Sequence, residues 1–240
     1  MSDAGTPSVA RGPLAALADL RARPDRQQQK RSWPIPGADE LFRSLYTGFE
    51  VGSGTSLAVC SAVNGEGKST MCTGLAVAIA QDLPDRRVVI VETDLWRPVL
   101  AKDFGLAPAP GLADCLLDRQ PLATTLRATE LDNLSLLVAG STVPSPQRLL
   151  RSSRMADVMH TLRNTYDVVI VDTAAVMVHS EVALIARMVE EVVFVVRTGV
   201  TPARELDAAL GRLREANVKG IVLNDVRSSV PRVLRRLARL

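Results

Sequence analysis

A chain of 240 residues with 47% hydrophobic side chains has ample material for one α/β domain with tails, and its net charge of only +3 excludes a broad nucleic-acid surface. That charge sits at the ends: residues 1–37 carry six basic and three acidic side chains, and residues 227–240 carry five arginines and no acid. The body is left mildly acidic and the ends suited to an anionic surface, while the lack of a signal-peptide core or of about 18 unbroken apolar residues predicts a cytoplasmic protein.

Residues 1–37, rich in Pro, Gln, Arg and Ala, read as a mostly disordered basic arm with room for a short helix near 13–20. A domain spanning 38–226 follows. It opens on a helix whose apolar positions Leu41, Phe42, Leu45 and Phe49 share one face. Strands are then expected at 56–62, 87–93, 134–139, 166–172, 191–197 and 219–225. Helices are expected at 68–82, 111–118, 152–164, 180–189 and 201–216. The Val/Ile runs at 88–91 and 168–171 suit strands covered on both faces. The fold is therefore predicted as α/β, a doubly wound, mostly parallel sheet flanked by helices, with ligands beyond the carboxyl ends of the strands. Cys60, Cys72 and Cys115 match no metal spacing and read as buried thiols.

The richest stretch is Ser61-Ala62-Val63-Asn64-Gly65-Glu66-Gly67-Lys68-Ser69-Thr70, between an apolar strand and a helical pattern. A glycine-rich turn at a helix N-terminus makes a phosphate cradle, in which backbone N–H groups of residues 64–70 point inward. Lys68 reaches the outer phosphates and the Ser69 hydroxyl can ligate Mg²⁺. Ala62 stands where the general pattern has its first glycine. The chain thus reads as a P-loop nucleotide-binding protein.

Asp172 ends the strand beginning at Tyr166, where a carboxylate can hold the Mg²⁺ of Mg·ATP; capping of a helix is the plainer use. Glu92 and Asp94 follow another strand, two residues apart and on one side of the extended chain. They could serve the metal and accept a proton from an attacking hydroxyl, or equally cap the next helix. His160 and His179 lie far apart with no matching ligands and read as structural.

Together these residues resemble the bacterial tyrosine kinases (BY-kinases) of capsule and exopolysaccharide systems, the CpsD/CapB family, related in fold to MinD/ParA-type ATPases. The resemblance covers residues 38–226. It includes Glu40-x-x-Arg43, Asp94-Leu95-Trp96-Arg97-Pro98, Gly111-Leu112-Ala113-Asp114-Cys115-Leu116, the segment from Gly140 to Ser152, and Gly220-Ile221-Val222-Leu223-Asn224. It implies ATP and Mg²⁺ as cofactors, Asn224 facing adenine, and Lys68, Glu92, Asp94 and Asp172 as the catalytic group. Ser69, Asp94 and Asp172 would hold the metal. It further implies self-association through Glu40 and Arg43, and a membrane polysaccharide co-polymerase as partner that recruits the protein to the inner face of the membrane. Val63, where MinD and ParA carry an extra lysine, favours the kinase branch.

The departures from the family pattern bear on activity. Glu92 replaces the first aspartate of an Asp-x-Asp pair, Trp96 an expected arginine, Ala174-Ala175 a Pro-Pro pair and Tyr46 the second arginine of the association motif. The only tyrosines in these 240 residues are Tyr46 and Tyr166, so autophosphorylation of a tail cluster is not expected. Residues 227–240 instead form a basic amphipathic pattern, with Val230, Val233, Leu234 and Leu237 at helical spacing. That pattern suits either a last helix packed on the domain or a peripheral membrane contact. Two rival readings follow: an ATP-binding regulator with little phosphotransfer, and a MinD-type membrane-associated ATPase.

Overall fold

The computed structural model describes residues 39–48 and 52–226. The expectations for the arm at 1–37 and for the tail at 227–240 lie outside the described residues. The elements run α1 (Asp39–Tyr46), β1 (Thr55–Ser61), α2 (Lys68–Asp82), β2 (Val88–Glu92), α3 (Leu100–Asp103), α4 (Leu112–Leu116), α5 (Leu122–Thr125), β3 (Arg127–Ala128) and β4 (Leu134–Leu137). They continue with α6 (Pro146–Leu150), α7 (Ser153–Thr165), β5 (Val168–Asp172), α8 (Glu181–Ala186), β6 (Glu191–Arg197), α9 (Ala203–Arg212) and β7 (Val218–Asn224).

The seven strands form one sheet in the order β3-β4-β2-β5-β1-β6-β7. Every pairing is parallel except β3 with β4. Strand alternation splits the core into two layers. Ala58, Cys60, Val89, Val91, Val169, Val171 and Phe194 face the layer holding Leu112, Met155 and Leu162. Leu57, Val59, Val88, Ile90, Val168, Ile170 and Val195 face the layer built on α2. Both layers are apolar, which is why β2 and β5 carry unbroken Val/Ile runs. This is the α/β, mostly parallel architecture that the sequence predicts.

Helix α2 is buried around most of its circumference, because α1 lies across its outer side. The contact requires Gly74: a β-carbon there would sit 2.1 Å from Phe42 Cζ. On the opposite layer, the Gly111 and Gly140 segments meet. Asp114 Oδ2 accepts the N–H groups of Gly111 at 2.8 Å and Ser141 at 3.0 Å. Burial pushes this carboxyl up, but those hydrogen bonds outweigh it and hold it below its ordinary value.

Candidate active site

β1 ends at Ser61 and the chain turns into α2 through a loop at the carboxyl edge of the sheet. Gly65 and Gly67 adopt φ of 80° and 99°, the left-handed region that a β-carbon disfavours. Gly67 is constrained twice, since a β-carbon there would lie 2.3 Å from Asn224 Nδ2.

Glu66 braces the loop from beneath. It is fully buried, so it reaches a ligand through its backbone and not its carboxylate. Its Oε2 accepts the Val63 N–H at 2.7 Å. Its Oε1 accepts the Arg197 N–H at 3.2 Å and the Thr201 hydroxyl. Asn224, at the end of β7, donates from Nδ2 to the Glu66 carbonyl at 2.8 Å. The loop is thereby tied to the ends of β6 and β7.

Lys68 opens α2 and is buried, with Nζ donating to Ser61 Oγ at 3.0 Å. Ser61 in turn donates to the Val63 carbonyl at 2.8 Å. An ammonium at a helix N-terminus, beneath a loop with exposed Asn64, Gly65 and Thr70 and half-exposed Ser69, is an anion site.

Asp172 lies on the strand beside β1. It is only 1% exposed, and neither of its carboxylate oxygens accepts a hydrogen bond. Burial raises its carboxyl to about 7. The Ser69 hydroxyl, close by but outside hydrogen-bonding geometry, and the Lys68 ammonium oppose that push, while Glu92 and Asp94 add to it. A buried carboxylate with two orphaned oxygens beside a phosphate loop fits a divalent cation. Mg²⁺ is usually held by one or two carboxylates plus phosphate oxygens, not by an all-protein cage. No cluster of three or more His, Cys, Asp or Glu able to hold a metal occurs among the described residues.

The paired carboxylates after β2 are used differently from a free base and its helper. Glu92 is fully buried. Its Oε1 accepts the N–H groups of Val99 at 2.6 Å and Leu100 at 2.8 Å, and its Oε2 accepts that of Ala139 at 2.9 Å. Both oxygens are engaged, so Glu92 caps the start of α3 and straps it to the end of β4. This arrangement favours a bracing role for Glu92 over the expected proton-accepting one. Asp94 is half-exposed, and only its Oδ1 is engaged, by the N–H groups of Trp96 at 3.3 Å and Arg97 at 3.0 Å.

Sequence reasoning missed one feature of this edge. Trp96 stacks on His179, with ring centroids 3.7 Å apart and planes 18° from parallel. The two residues lie far apart in sequence and share no motif, so only the fold brings them together. His160, by contrast, is exposed on α7 beside Asn164.

Away from the loop, α1 is joined to α2 by charge. Arg43 pairs with Asp82 at 3.0 Å, and the Tyr46 hydroxyl donates to the same carboxylate oxygen at 2.6 Å. Glu40 is exposed. The three cysteines are free and buried; burial lifts the Cys60 thiol to about 12 and raises Cys72 and Cys115 as well. No helix among the described residues is long and apolar enough to cross a membrane.

No family model matches the chain. Individual proteins do. The chain is 34% identical over 165 residues to the tyrosine-protein kinase ptk of Acinetobacter johnsonii, which covers 68% of this chain and 22% of that protein. It is 30% identical over 171 residues to CapB of Staphylococcus aureus, also named as a tyrosine-protein kinase, covering 70% of this chain and 74% of that one. The chain therefore spans about a fifth of the first relative's length and about three quarters of the second's. Among solved structures, the kinase domain of the Escherichia coli tyrosine kinase ETK superposes with a TM-score of 0.73 at 26% identity, over 86% of this chain and 88% of that one.

Proposed function

Since the chain belongs to the bacterial tyrosine-protein kinase family, we propose that it is an ATP- and Mg²⁺-dependent protein-tyrosine kinase acting in capsule or exopolysaccharide assembly. The observation that carries this reading is Asp172, a fully desolvated carboxylate with both oxygens orphaned beside Lys68 and Ser69. A P-loop fold that leaves such a group unpaired has a cation to place there.

When bound, Mg·ATP supplies the transferable phosphoryl group and the charge that neutralises it. The rest falls to the chain. Backbone N–H groups of Asn64, Gly65, Glu66, Gly67, Lys68, Ser69 and Thr70 would cradle phosphate oxygens, and Lys68 would add its positive charge. Ser69, Asp94 and Asp172 would hold the metal. Asn224 borders the nucleobase while its amide secures Glu66. Glu92 braces the wall behind Asp94, whose Oδ2 is the carboxylate oxygen left open towards the metal.

The acceptor tyrosine belongs to another protein. Tyr166 is only 8% exposed, and Tyr46 already donates to Asp82. The partner is a membrane polysaccharide co-polymerase, which draws the protein to the inner face of the membrane, aided by the basic residues 227–240. Self-association through Glu40 and Arg43 would require Arg43 to exchange its bond with Asp82.

The test is phosphotyrosine mapping by mass spectrometry after incubation with Mg·ATP and the cytosolic segment of such a partner. Phosphotyrosine that disappears in Lys68→Ala is the expected result. ATP bound without phosphotyrosine overturns the kinase and leaves a nucleotide-switched regulator.

A further inference from the structure

β2 and β5 run parallel in register as far as Glu92 opposite Asp172. One further junction follows at once, where the backbone N–H and the hydroxyl of Thr93 both donate to the Asp172 carbonyl at 2.8 Å. Beyond it the two chains part. One enters the Asp94 turn, closed by the Leu95 N–H donating to the Thr93 carbonyl at 3.0 Å and by the Trp96 and Arg97 N–H groups donating to Asp94 Oδ1. The other runs along the phosphate loop: Val176 N–H donates to the Ser61 carbonyl at 2.9 Å and Met177 N–H to the Ala62 carbonyl at 3.0 Å. His179 follows, its N–H donating to the Ala175 carbonyl at 3.0 Å. The stacking of Trp96 on His179 then rejoins the separated segments on the far side of Asp94.

Asp94 is thus held between two junctions, Thr93 with Asp172 and Trp96 with His179. The second connects its turn to the segment bonded to Ser61 and Ala62, at the start of the phosphate loop. We propose that Trp96 and His179 are a positioning pair, which sets the distance between the Asp94 carboxylate and the Asp172–Ser69 side of the Mg²⁺ site. The inference rests on the functional reading above. Each ring acts through the turn or segment that carries it. A positioning pair of this kind controls the metal-dependent part of nucleotide affinity and leaves the metal-free part alone. Loss of such an outer partner lowers metal affinity by roughly 10- to 100-fold.

Calorimetric titration of the full chain with ADP, with and without Mg²⁺, reads this directly and needs no phosphotransfer. Wild type is expected to bind ADP more tightly with Mg²⁺ than without. Trp96→Ala and His179→Ala are expected to lose about tenfold of that gain with metal-free affinity unchanged. His179→Phe keeps a flat ring against Trp96 and is expected to restore the gain to within about twofold. An undiminished Mg²⁺ gain in both alanine variants overturns the proposal. So does an equal fall with and without metal, or a His179→Phe protein that behaves as His179→Ala. A wild-type chain that binds no ADP is a separate failure, that of the functional reading itself.

Discussion

Glu92 and Asp172 end neighbouring strands and face each other in register, both stripped of water, yet their surroundings differ completely. Three backbone N–H groups converge on Glu92, and none reaches Asp172. Burial raises both carboxyls, and the donors around Glu92 from Leu100, Ala139 and Val99 oppose that rise without reversing it. A satisfied buried carboxylate is part of the frame. An unsatisfied one costs the fold stability and is retained for what binds it. The sharpest way to break the comparison is Asp172→Asn. Phosphotransfer should fall on the order of 100-fold or more, while the ligand-free protein gains on the order of 2 kcal/mol above pH 7. A phosphotyrosine assay checks the first half, and urea unfolding with and without Mg·ADP checks the second. The sign follows from the raised carboxyl: between its ordinary 3.8 and about 7, the folded chain keeps a proton that the unfolded chain has released. Stability from this group is therefore full below pH 4, falls as pH rises through 7 and is level beyond. Mg·ADP should bind more tightly across the same rise, and Asp172→Asn should flatten both profiles.

Glu92→Ala tests the other side. It strands the N–H groups of Val99, Leu100 and Ala139 in a dry site, with a loss of about 3 kcal/mol. Activity should return as conditions favour folding, since the residue braces the wall and does not take the proton. Glu92→Gln can still accept from Val99 and Leu100, but its amide group confronts the Ala139 N–H with a second donor. A loss of about 1–2 kcal/mol is expected, measured by the same unfolding curves. A Glu92→Gln protein that keeps full stability and loses all phosphotransfer would restore Glu92 as a base.

How far these differences could be read from the chain depends on distance along it. The Val/Ile runs of β2 and β5 announce buried strands, and Gly65–Ser69 announces a phosphate loop, because each signal is local. The orientation of Glu92 is not local. Its third donor, Ala139, lies at the end of a different strand, so a cap and a base look alike until β4 is placed. Trp96 and His179 are separated in the same way. Arg127–Ala128 forms β3 in only two residues, and α3, α5 and α6 are too short for helical periodicity to register. The expected helices at 180–189 and 201–216 shorten to Glu181–Ala186 and Ala203–Arg212.

Asp82 carries the comparison to a carboxylate near water. Its Oδ2 accepts both the Tyr46 hydroxyl and Arg43 Nε, with the Arg43 side chain 47% exposed. Solvent screens such a pair, so Asp82→Asn should cost only about 0.5 kcal/mol, far less than either buried site. Its signature is spectroscopic. The hydrogen bond donated to Asp82 is the main cause holding the Tyr46 hydroxyl above its ordinary value, with burial second, and Arg43 pulls it back down. In Asp82→Asn the charged acceptor is gone, Arg43 loses its partner, and the Tyr46 titration followed by NMR should move down towards 10. A Tyr46 titration unmoved by Asp82→Asn would mean that burial, not the shared carboxylate, sets its acidity.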